Sequence, residues 1–332
     1  MSLFYNTDPI APATDPALNS EFTAPFPMVM LELAKTPNEW ITENFILFRF
    51  QQATFTTTFS GSGLTYGTSA TGAVVMTGGT ISTIVSESES SLSLPPSYAR
   101  HSLSISGGSY DAATIQSFIT AGDEPGYWDY LTAGDDVFVV ASGEDIVRAG
   151  AGNDAVYVNG TGDKTIYGGT GSNAIYATAG NDLIVSGSLT AATLDPSLWS
   201  VADGGAGNDV LLAGYGSNGF LTGGAGHDAL VDGAGTDVLN GGAGFDYMVA
   251  GTGTNYFMFE SDSFVAGEYD AIASFTSANN FAGIAAAYAG AMTTGQYGTT
   301  AGLHFALGGG QYYSIYFYDT ALADVTSHLF YI

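Results

Sequence analysis

Apolar residues recur every nine positions along residues 131–260, and each follows the last glycine of a turn by four residues. With that glycine as the anchor, twelve turns align in two blocks of six. The anchors are Gly134, Gly143, Gly152, Gly162, Gly171 and Gly180, then Gly207, Gly216, Gly226, Gly235, Gly244 and Gly253. Short apolar strands separated by glycine turns at a fixed period indicate a parallel β-roll, so the fold class is all-β.

The apolar position after each turn predicts the core of this roll. Two nine-residue units make one coil, so turns 18 residues apart stack and the apolar side chains point inward. The predicted inward residues are Phe138, Val147, Val156, Ile166, Ile175, Ile184, Leu211, Phe220, Leu230, Leu239, Met248 and Phe257.

The pattern is interrupted over residues 186–203, which span 18 residues, twice the repeat unit. Two interpretations stay open. The segment is either a degenerate coil that continues the ladder of strands, or an excursion with a short helix around residues 194–199.

The flanks predict two further β-rich regions. Residues 1–130 form an N-terminal domain with an extended proline-containing arm, a helix from a capping box at Thr36 to Glu43, and strands over 45–59. A strand pair is predicted around the turn 77–80, and Asp111 is predicted to cap a helix. Residues 131–259 form the roll. Residues 260–332, with strands over 302–307 and 312–318, cap its open end.

Composition narrows the possible partners. Five basic residues against 32 acidic ones give a net charge of −27, which opposes nucleic-acid binding and requires cations for compaction. The chain has no cysteine, which excludes disulfides and thiolate metal sites. The N-terminus lacks a Sec signal pattern, and the sequence has no apolar run that is long enough to span a membrane.

The turn chemistry predicts calcium. Glycine allows backbone conformations that direct carbonyl oxygens into a concavity, and eight of the twelve turns carry an aspartate two positions after the anchor glycine. Calcium takes about six to eight oxygen ligands, which stacked turns can supply. The cleanest copies, Gly204-Gly205-Ala206-Gly207-Asn208-Asp209 and Gly241-Gly242-Ala243-Gly244-Phe245-Asp246, resemble the repeats of the RTX (repeats-in-toxin) proteins, which Gram-negative bacteria secrete through type I systems.

The RTX resemblance implies that each site takes carbonyls two and four with the Asp of one turn, and carbonyls one and three with the Asp of the stacked turn. One implied site comprises Gly205, Gly207 and Asp209 with Gly223, Ala225 and Asp228. A second comprises Gly224, Gly226 and Asp228 with Gly241, Ala243 and Asp246. A third comprises Thr132, Gly134 and Asp136 with Ala149, Ala151 and Asp154. The opposite edge would contribute Asp145, Asp182, Gly233, Gly235 and Asp237.

The two edges are predicted to be unequal. We expect calcium mainly on an edge with Asp136, Asp154, Asp209, Asp228 and Asp246. The other edge carries the sixth-position residues Asp145, Lys164, Asp182, Asn218, Asp237 and Asn255. A lysine ammonium repels calcium and an asparagine offers an uncharged oxygen, so we expect that edge to bind calcium weakly.

No motif of zinc proteases, serine hydrolases or cysteine nucleophiles occurs in the sequence. The sequence favours a secreted structural protein, at the surface of a Gram-negative bacterium, that assembles with copies of itself as a surface layer, filament or matrix. The alternatives are an adhesin that binds a ligand such as cell-surface polysaccharide, and an enzyme with an unrecognised site in residues 1–130. In RTX proteins, the C-terminal region also carries the export signal.

Overall fold

The computed structural model describes residues 3–6, 30–35, 39–48, 51–70, 74–89, 102–121, 124–140, 145–189 and 194–332. The chain divides into two compact units, Met1–Asp145 and Ile146–Ile332. The second unit contains most of the repeats together with residues 260–332, and the boundaries predicted after residues 130 and 259 stay predictions. The helices within the described ranges are too short and too polar to span a bilayer.

The first unit is a β-sheet with two helices. Its sheet order is β2-β3-β4-β5-β6-β1-β7; neighbours are antiparallel except β1 and β7, which are parallel. The elements are β1 Leu3–Asn6, β2 Met30–Lys35, β3 Glu39–Phe48, β4 Gln51–Thr68, β5 Val74–Glu89, β6 Ser102–Asp111, α1 Ala112–Ala121, α2 Glu124–Leu131 and β7 Val137–Val140.

Two local predictions for this unit are wrong. The capping box at Thr36 does not start a helix to Glu43, because Glu39 begins β3, which pairs with β2 and β4 on both sides. The glycines of turn 77–80 do not reverse the chain; β5 runs through them and absorbs them as irregularities in its pairing with β4. Most of the predicted proline-containing arm lies outside the described residues.

The predicted helix cap is confirmed. Asp111 precedes α1, and its carboxylate accepts hydrogen bonds from the backbone N (2.7 Å) and the hydroxyl (2.8 Å) of Thr114.

The second unit is the roll with its cap. The roll strands are β8 Asp145–Arg148 (of which residues 146–148 lie in this unit), β9 Ala155–Val158, β10 Lys164–Tyr167, β11 Ala174–Tyr176, β12 Leu183–Val185, β13 Trp199–Ala206, β14 Val210–Leu212, β15 Asn218–Ala225, β16 Ala229–Val231, β17 Ala234–Ala243, β18 Tyr247–Val249 and β19 Thr252–Phe259. The remaining elements are β20 Tyr269–Ala273, β21 Asn280–Ile284, a 3-10 helix Ala286–Ala291, β22 Met292–Tyr297, β23 Thr300–Gly308, β24 Gln311–Phe317, α3 Leu322–Thr326 and β25 Leu329–Tyr331.

Successive strands alternate between two sheets, so each coil contributes one strand to each. The first sheet runs β9-β11-β13-β15-β17-β19-β21-β25 with parallel neighbours. The second runs β8-β10-β12-β14-β16-β18-β20-β24-β23-β22 and is parallel from β10 to β24. The hairpins β24–β23–β22 then close it with antiparallel pairs.

The core between the two sheets is a double row of apolar side chains, one row from each sheet. In the register of the strands, Ile175, Ala202, Leu221, Leu239 and Phe257 form one fully buried row. The opposite row is Ile166, Ile184, Leu211, Leu230 and Met248.

One inward prediction is wrong: Phe220 is 44% exposed, and Leu221 takes its place in the core. The spacing between Gly216 and Gly226 is ten residues rather than nine, and the structure places the extra residue before the inward position of β15. The side chains therefore shift by one, which exchanges the two faces of a strand.

The interruption keeps the ladder of strands continuous, as the first interpretation predicts, and the short helix of the second interpretation is not observed in residues 194–199. β13 pairs with β11 and β15, and β12 pairs with β14, so both sheets continue across it. The described residues between β12 and β13, 186–189 and 194–198, contain no helix.

Candidate metal centre

One edge of the roll carries a column of buried aspartates. We call the edge formed by turns 177–182, 204–209, 223–228 and 241–246 the carboxylate edge. In each turn the backbone N–H of the sixth residue donates to Oδ1 of the sixth residue in the next coil. The bonds are Lys164 to Asp182 (2.6 Å), Asp182 to Asp209 (2.7 Å), Asp209 to Asp228 (2.8 Å), Asp228 to Asp246 (2.9 Å) and Asp246 to Asp270 (3.0 Å).

The second carboxylate oxygen of four of these residues is available for a ligand. Oδ2 of Asp182, Asp209, Asp228 and Asp246 is buried and finds no hydrogen-bond partner in the described part of the chain. Burial, followed by the neighbouring carboxylates, raises the pKa of Asp209 and of Asp228 to about 7. Since stacked strands lie only about 4.8 Å apart, such a column of charges requires cations between its members.

Backbone carbonyls add oxygens to the same edge. Gly207 and Gly226 adopt φ of 139° and 145°, which disfavours side chains. A Cβ at Gly226 would overlap the carbonyl oxygen of Gly207, and one at Gly244 would overlap that of Gly226. The carbonyl oxygens of Gly207 and Gly226, at the fourth position, therefore face the next coil. The carbonyl oxygens of Gly205 and Gly224, at the second position, also face it.

The carbonyl oxygens at the third position also accept backbone hydrogen bonds from the neighbouring coil. Ala225 O accepts a hydrogen bond from Gly207 N (2.8 Å), and Ala243 O accepts one from Gly226 N (2.9 Å). A carbonyl oxygen has two lone pairs, so each of these oxygens keeps one for a cation.

The opposite edge, formed by turns 149–154, 168–173, 213–219, 232–237 and 250–255, is the amide edge. Its sixth-position column aligns Asp154, Asn173, Ser200, Gly219, Asp237, Asn255 and Asn280. Asn173 Oδ1 accepts from Asp154 N (3.0 Å), while its Nδ2 donates to Ser186 O (3.1 Å). Because the Asn173 side chain accepts one hydrogen bond and donates another, this position of the column needs no cation.

The predicted composition of the two edges is wrong. Asp154 lies on the amide edge, whereas Asp182 lies with Asp209, Asp228 and Asp246 on the carboxylate edge. The spacing from Gly180 to Gly207 is 27 residues, one coil of 18 plus nine, and turns 177–182 and 204–209 nevertheless stack on the same edge. Asn218 also leaves the sixth-position column, because Gly219 aligns with Asp237.

The structure brings two of the implied ligand sets together in stacked turns: Gly205, Gly207, Asp209, Gly223, Ala225 and Asp228, and Gly224, Gly226, Asp228, Gly241, Ala243 and Asp246. Of the third set, Thr132, Gly134 and Asp136 belong to the first unit and Ala149, Ala151 and Asp154 to the second, so that set stays a prediction. The side chain of Asp145 lies outside the described residues. Gly233, Gly235 and Asp237 share one turn of the amide edge.

Sequence reasoning missed how the carboxylate column ends. Asp270 is its last member, and Tyr313 OH donates to Asp270 Oδ2. Asp270 precedes Ile272 by two residues, the spacing of Asp246 and Met248, and that signal could have identified it. At the other end the buried Lys164 Nζ donates to the carbonyl of Gly162 (3.0 Å).

The donor set fits calcium. Among the described residues no three carboxylate or imidazole side chains converge on one point. The oxygens are instead paired carboxylates from neighbouring coils together with backbone carbonyls, a hard-oxygen set that calcium prefers. Bound there, calcium would neutralise the column and join one coil to the next.

The comparisons with known proteins agree with this geometry. The family model of the RTX calcium-binding nonapeptide repeat matches in four copies, over residues 130–164, 158–188, 201–220 and 222–257. No curated protein is matched by the chain. The repeats bind several calcium ions.

Proposed function

We propose that this RTX calcium-binding protein is secreted, folds on calcium outside the cell and assembles with copies of itself into a surface layer, filament or matrix. The observation that carries the proposal is the carboxylate edge, where Oδ2 of Asp182, Asp209, Asp228 and Asp246 has no donor among the described residues. Without cations these buried charges repel one another along the roll.

Calcium concentration then controls folding. Extracellular calcium modules bind at about 10⁻⁴–10⁻³ M, far above cytosolic calcium. The roll would therefore stay unfolded during export and fold outside, since the sites exist only in the folded chain and the free energy of calcium binding then contributes directly to folding. The cap formed by β20 to β25 would complete folding by closing the last coil.

The outer face of the second sheet supports self-assembly. In register, Leu183, Val210, Ala229 and Tyr247 form one outward row, with Val210 40% and Tyr247 44% exposed. Leu212, Val231 and Val249 form the adjacent, half-buried row, and Val185 in register with them is buried. The described strands β12 to β18 place no acidic side chain in these rows. A contiguous apolar face on so acidic a chain is typical of an interaction surface.

Circular dichroism tests calcium-coupled folding, and light scattering tests self-assembly. We expect β structure to appear cooperatively as calcium is titrated into chelator-treated protein, followed by an increase in mass. V210E and Y247E should keep the first transition and lose the second, whereas Y215E, in an exposed turn, should keep both. A fold complete in chelator would overturn calcium-coupled folding. Monomers at millimolar calcium would overturn assembly.

A second candidate function is ligand capture, which a row of exposed and half-exposed aromatic rings favours. Ring centroids lie 4.9 Å apart for Phe245–Tyr269, 5.7 Å for Tyr269–Tyr316 and 5.7 Å for Tyr316–His304. Such a row offers apolar ring faces with polar tips, as binding surfaces do. Calcium-dependent retention on immobilised polysaccharide, lost in Y269A, would favour this function over assembly.

A further inference from the structure

The turn 232–237 on the amide edge differs from its neighbours at its first position. The other turns of the second block begin with glycine or alanine, at Gly204, Ala213, Gly223, Gly241 and Ala250. This turn begins with Asp232 and ends with Asp237, so it alone in that block carries a carboxylate at both positions.

The geometry of the carboxylate edge shows where a first-position side chain points. In turns 204–209, 223–228 and 241–246, Oδ2 of the sixth residue folds back over the glycine at position one. A Cβ at Gly204 would overlap Oδ2 of Asp209, and one at Gly223 would overlap Oδ2 of Asp228. By the same turn geometry the side chain of Asp232 is directed at the carboxylate of Asp237.

Both carboxylates are buried and lack sufficient donors. Asp237 is fully buried; the backbone N–H of Gly219 faces its carboxylate without completing a hydrogen bond, and neither oxygen has another partner among the described residues. Asp232 is also buried; its Oδ2 accepts from Gly251 N (2.9 Å), and its Oδ1 finds no donor in the described chain. The residue in register with Asp237 in the preceding coil is Gly219, and even a Cβ there would lie 2.7 Å from Asp237 Oδ1. That position therefore contributes no carboxylate to the site.

Three carboxylate oxygens therefore meet in one turn without a donor. The side chains of Asp232 and Asp237 lie within hydrogen-bonding reach of each other. Two facing acceptors repel unless a proton or a cation lies between them. The repeats bind calcium, and the carbonyl oxygens of Gly233 and Gly235 face the next coil, which favours the cation.

We propose that Asp232 and Asp237 bind one calcium ion within a single turn. This site differs from those of the carboxylate edge, where each ion is shared by aspartates of two coils. It places a calcium on the edge that otherwise relies on amides. The inference rests on calcium binding by the roll and is independent of self-assembly.

Native mass spectrometry of the full chain in calcium tests the proposal. D232N should retain one calcium fewer than the wild type, and so should D237N. The matched control D324N, which removes an exposed charge from α3, should retain the full number. An unchanged count in D232N would overturn the proposal, because the pair would then share a proton. D232N is decisive, since the repeat pattern uses the first residue only through its carbonyl.

D232G is the control for misfolding, because it introduces the glycine that turns 204–209, 223–228 and 241–246 carry at the first position. It should fold with calcium as the wild type does, by circular dichroism, and still lose one ion. D232G that keeps the wild-type count would also overturn the site. A wild-type circular dichroism spectrum that does not change with calcium would instead overturn calcium-coupled folding. The failure of this site and the failure of the proposed function are therefore distinguishable.

Discussion

The two edges of the roll use the same nine-residue turn, yet the sixth residue of each turn has a different chemistry. On the carboxylate edge, Asp182, Asp209, Asp228 and Asp246 each hold one amide with Oδ1 and leave Oδ2 without a donor in the described chain. On the amide edge, Asn173 accepts with one atom and donates with the other. One edge thus needs cations, while most of the other is held by hydrogen bonds.

This difference indicates that the need for a cation varies with the sixth residue of a turn, although the glycine pattern of the turns is the same. Both edges share the same apolar core, so we expect them to fold together. On the amide edge, Asn173 fixes the register through hydrogen bonds, whereas on the carboxylate edge we expect the register to depend on calcium. We therefore expect the roll to need cations even though some of its turns carry no acidic residue.

The largest effect is expected from Asp228→Asn, because Asp228 is shared by two stacked ligand sets. Removing its charge lowers calcium affinity on both sides, so the calcium midpoint of folding should rise at least about tenfold, or ~1.4 kcal/mol. Calcium titration followed by circular dichroism measures the midpoint. D324N controls for net charge. An unchanged midpoint in D228N would show that the carboxylate edge does not set calcium dependence.

Acidification in chelator should substitute protons for calcium on the carboxylate edge. The folded pKa values of about 7 for Asp209 and Asp228 and about 6 for Asp246 exceed the ordinary 3.8. The folded state therefore binds more protons, and stability without calcium falls as pH rises from about 4 to about 7. In chelator, the β structure detected by circular dichroism should therefore be greater at pH ~5 than at pH ~8. Equal values would contradict this assignment of the charges.

Asn173→Asp converts one amide-edge turn to carboxylate chemistry. The new carboxylate keeps the bond from Asp154 N but loses the donation to Ser186 O and faces that carbonyl instead. An unpaired buried acceptor costs about 1–3 kcal/mol, so the variant should be less stable at low calcium and recover at saturating calcium. Thermal melts at the two calcium concentrations measure the difference, with Asn173→Ser as the uncharged control. Equal losses at the two concentrations would show that a carboxylate at this position does not create a calcium-dependent turn.

Tyr313→Phe tests how the carboxylate column ends. The Tyr313 hydroxyl donates to Oδ2 of Asp270, and both residues are buried. Removing it leaves a buried acceptor without this donor and should cost about 1–3 kcal/mol in calcium, measured by denaturant unfolding. Tyr312→Phe, at an exposed neighbouring ring, is the control. A loss no larger than that of the control would mean that the column does not need this cap.

The sequence period predicts the coils and their core because the inward positions depend only on strand alternation and turn length. Ile166, Leu211 and Met248 lie in the core as expected. The period does not determine whether the nine extra residues before β13 form half a coil or lengthen a turn. That choice decides whether Asp154 lies on the same edge as Asp209 or on the opposite one. The ten-residue spacing before Gly226 likewise leaves open whether Phe220 or Leu221 faces inward.

The smallest effect is expected at the fifth position, where both edges carry a second, exposed ladder. On the carboxylate edge Asn208 Oδ1 accepts from His227 N (2.8 Å), and on the amide edge Asn153 Oδ1 accepts from Ser172 N (2.9 Å). Water can replace an exposed acceptor, so N208A and N153A should each cost about 0.5–1 kcal/mol in denaturant unfolding.

These two losses should be equal and should not depend on calcium, because the fifth-position chemistry is the same on both edges. A larger loss for N208A, appearing only in calcium, would show that the outer ladder takes part in binding the ion. The contrast between the edges would then extend beyond the sixth residue to the whole turn.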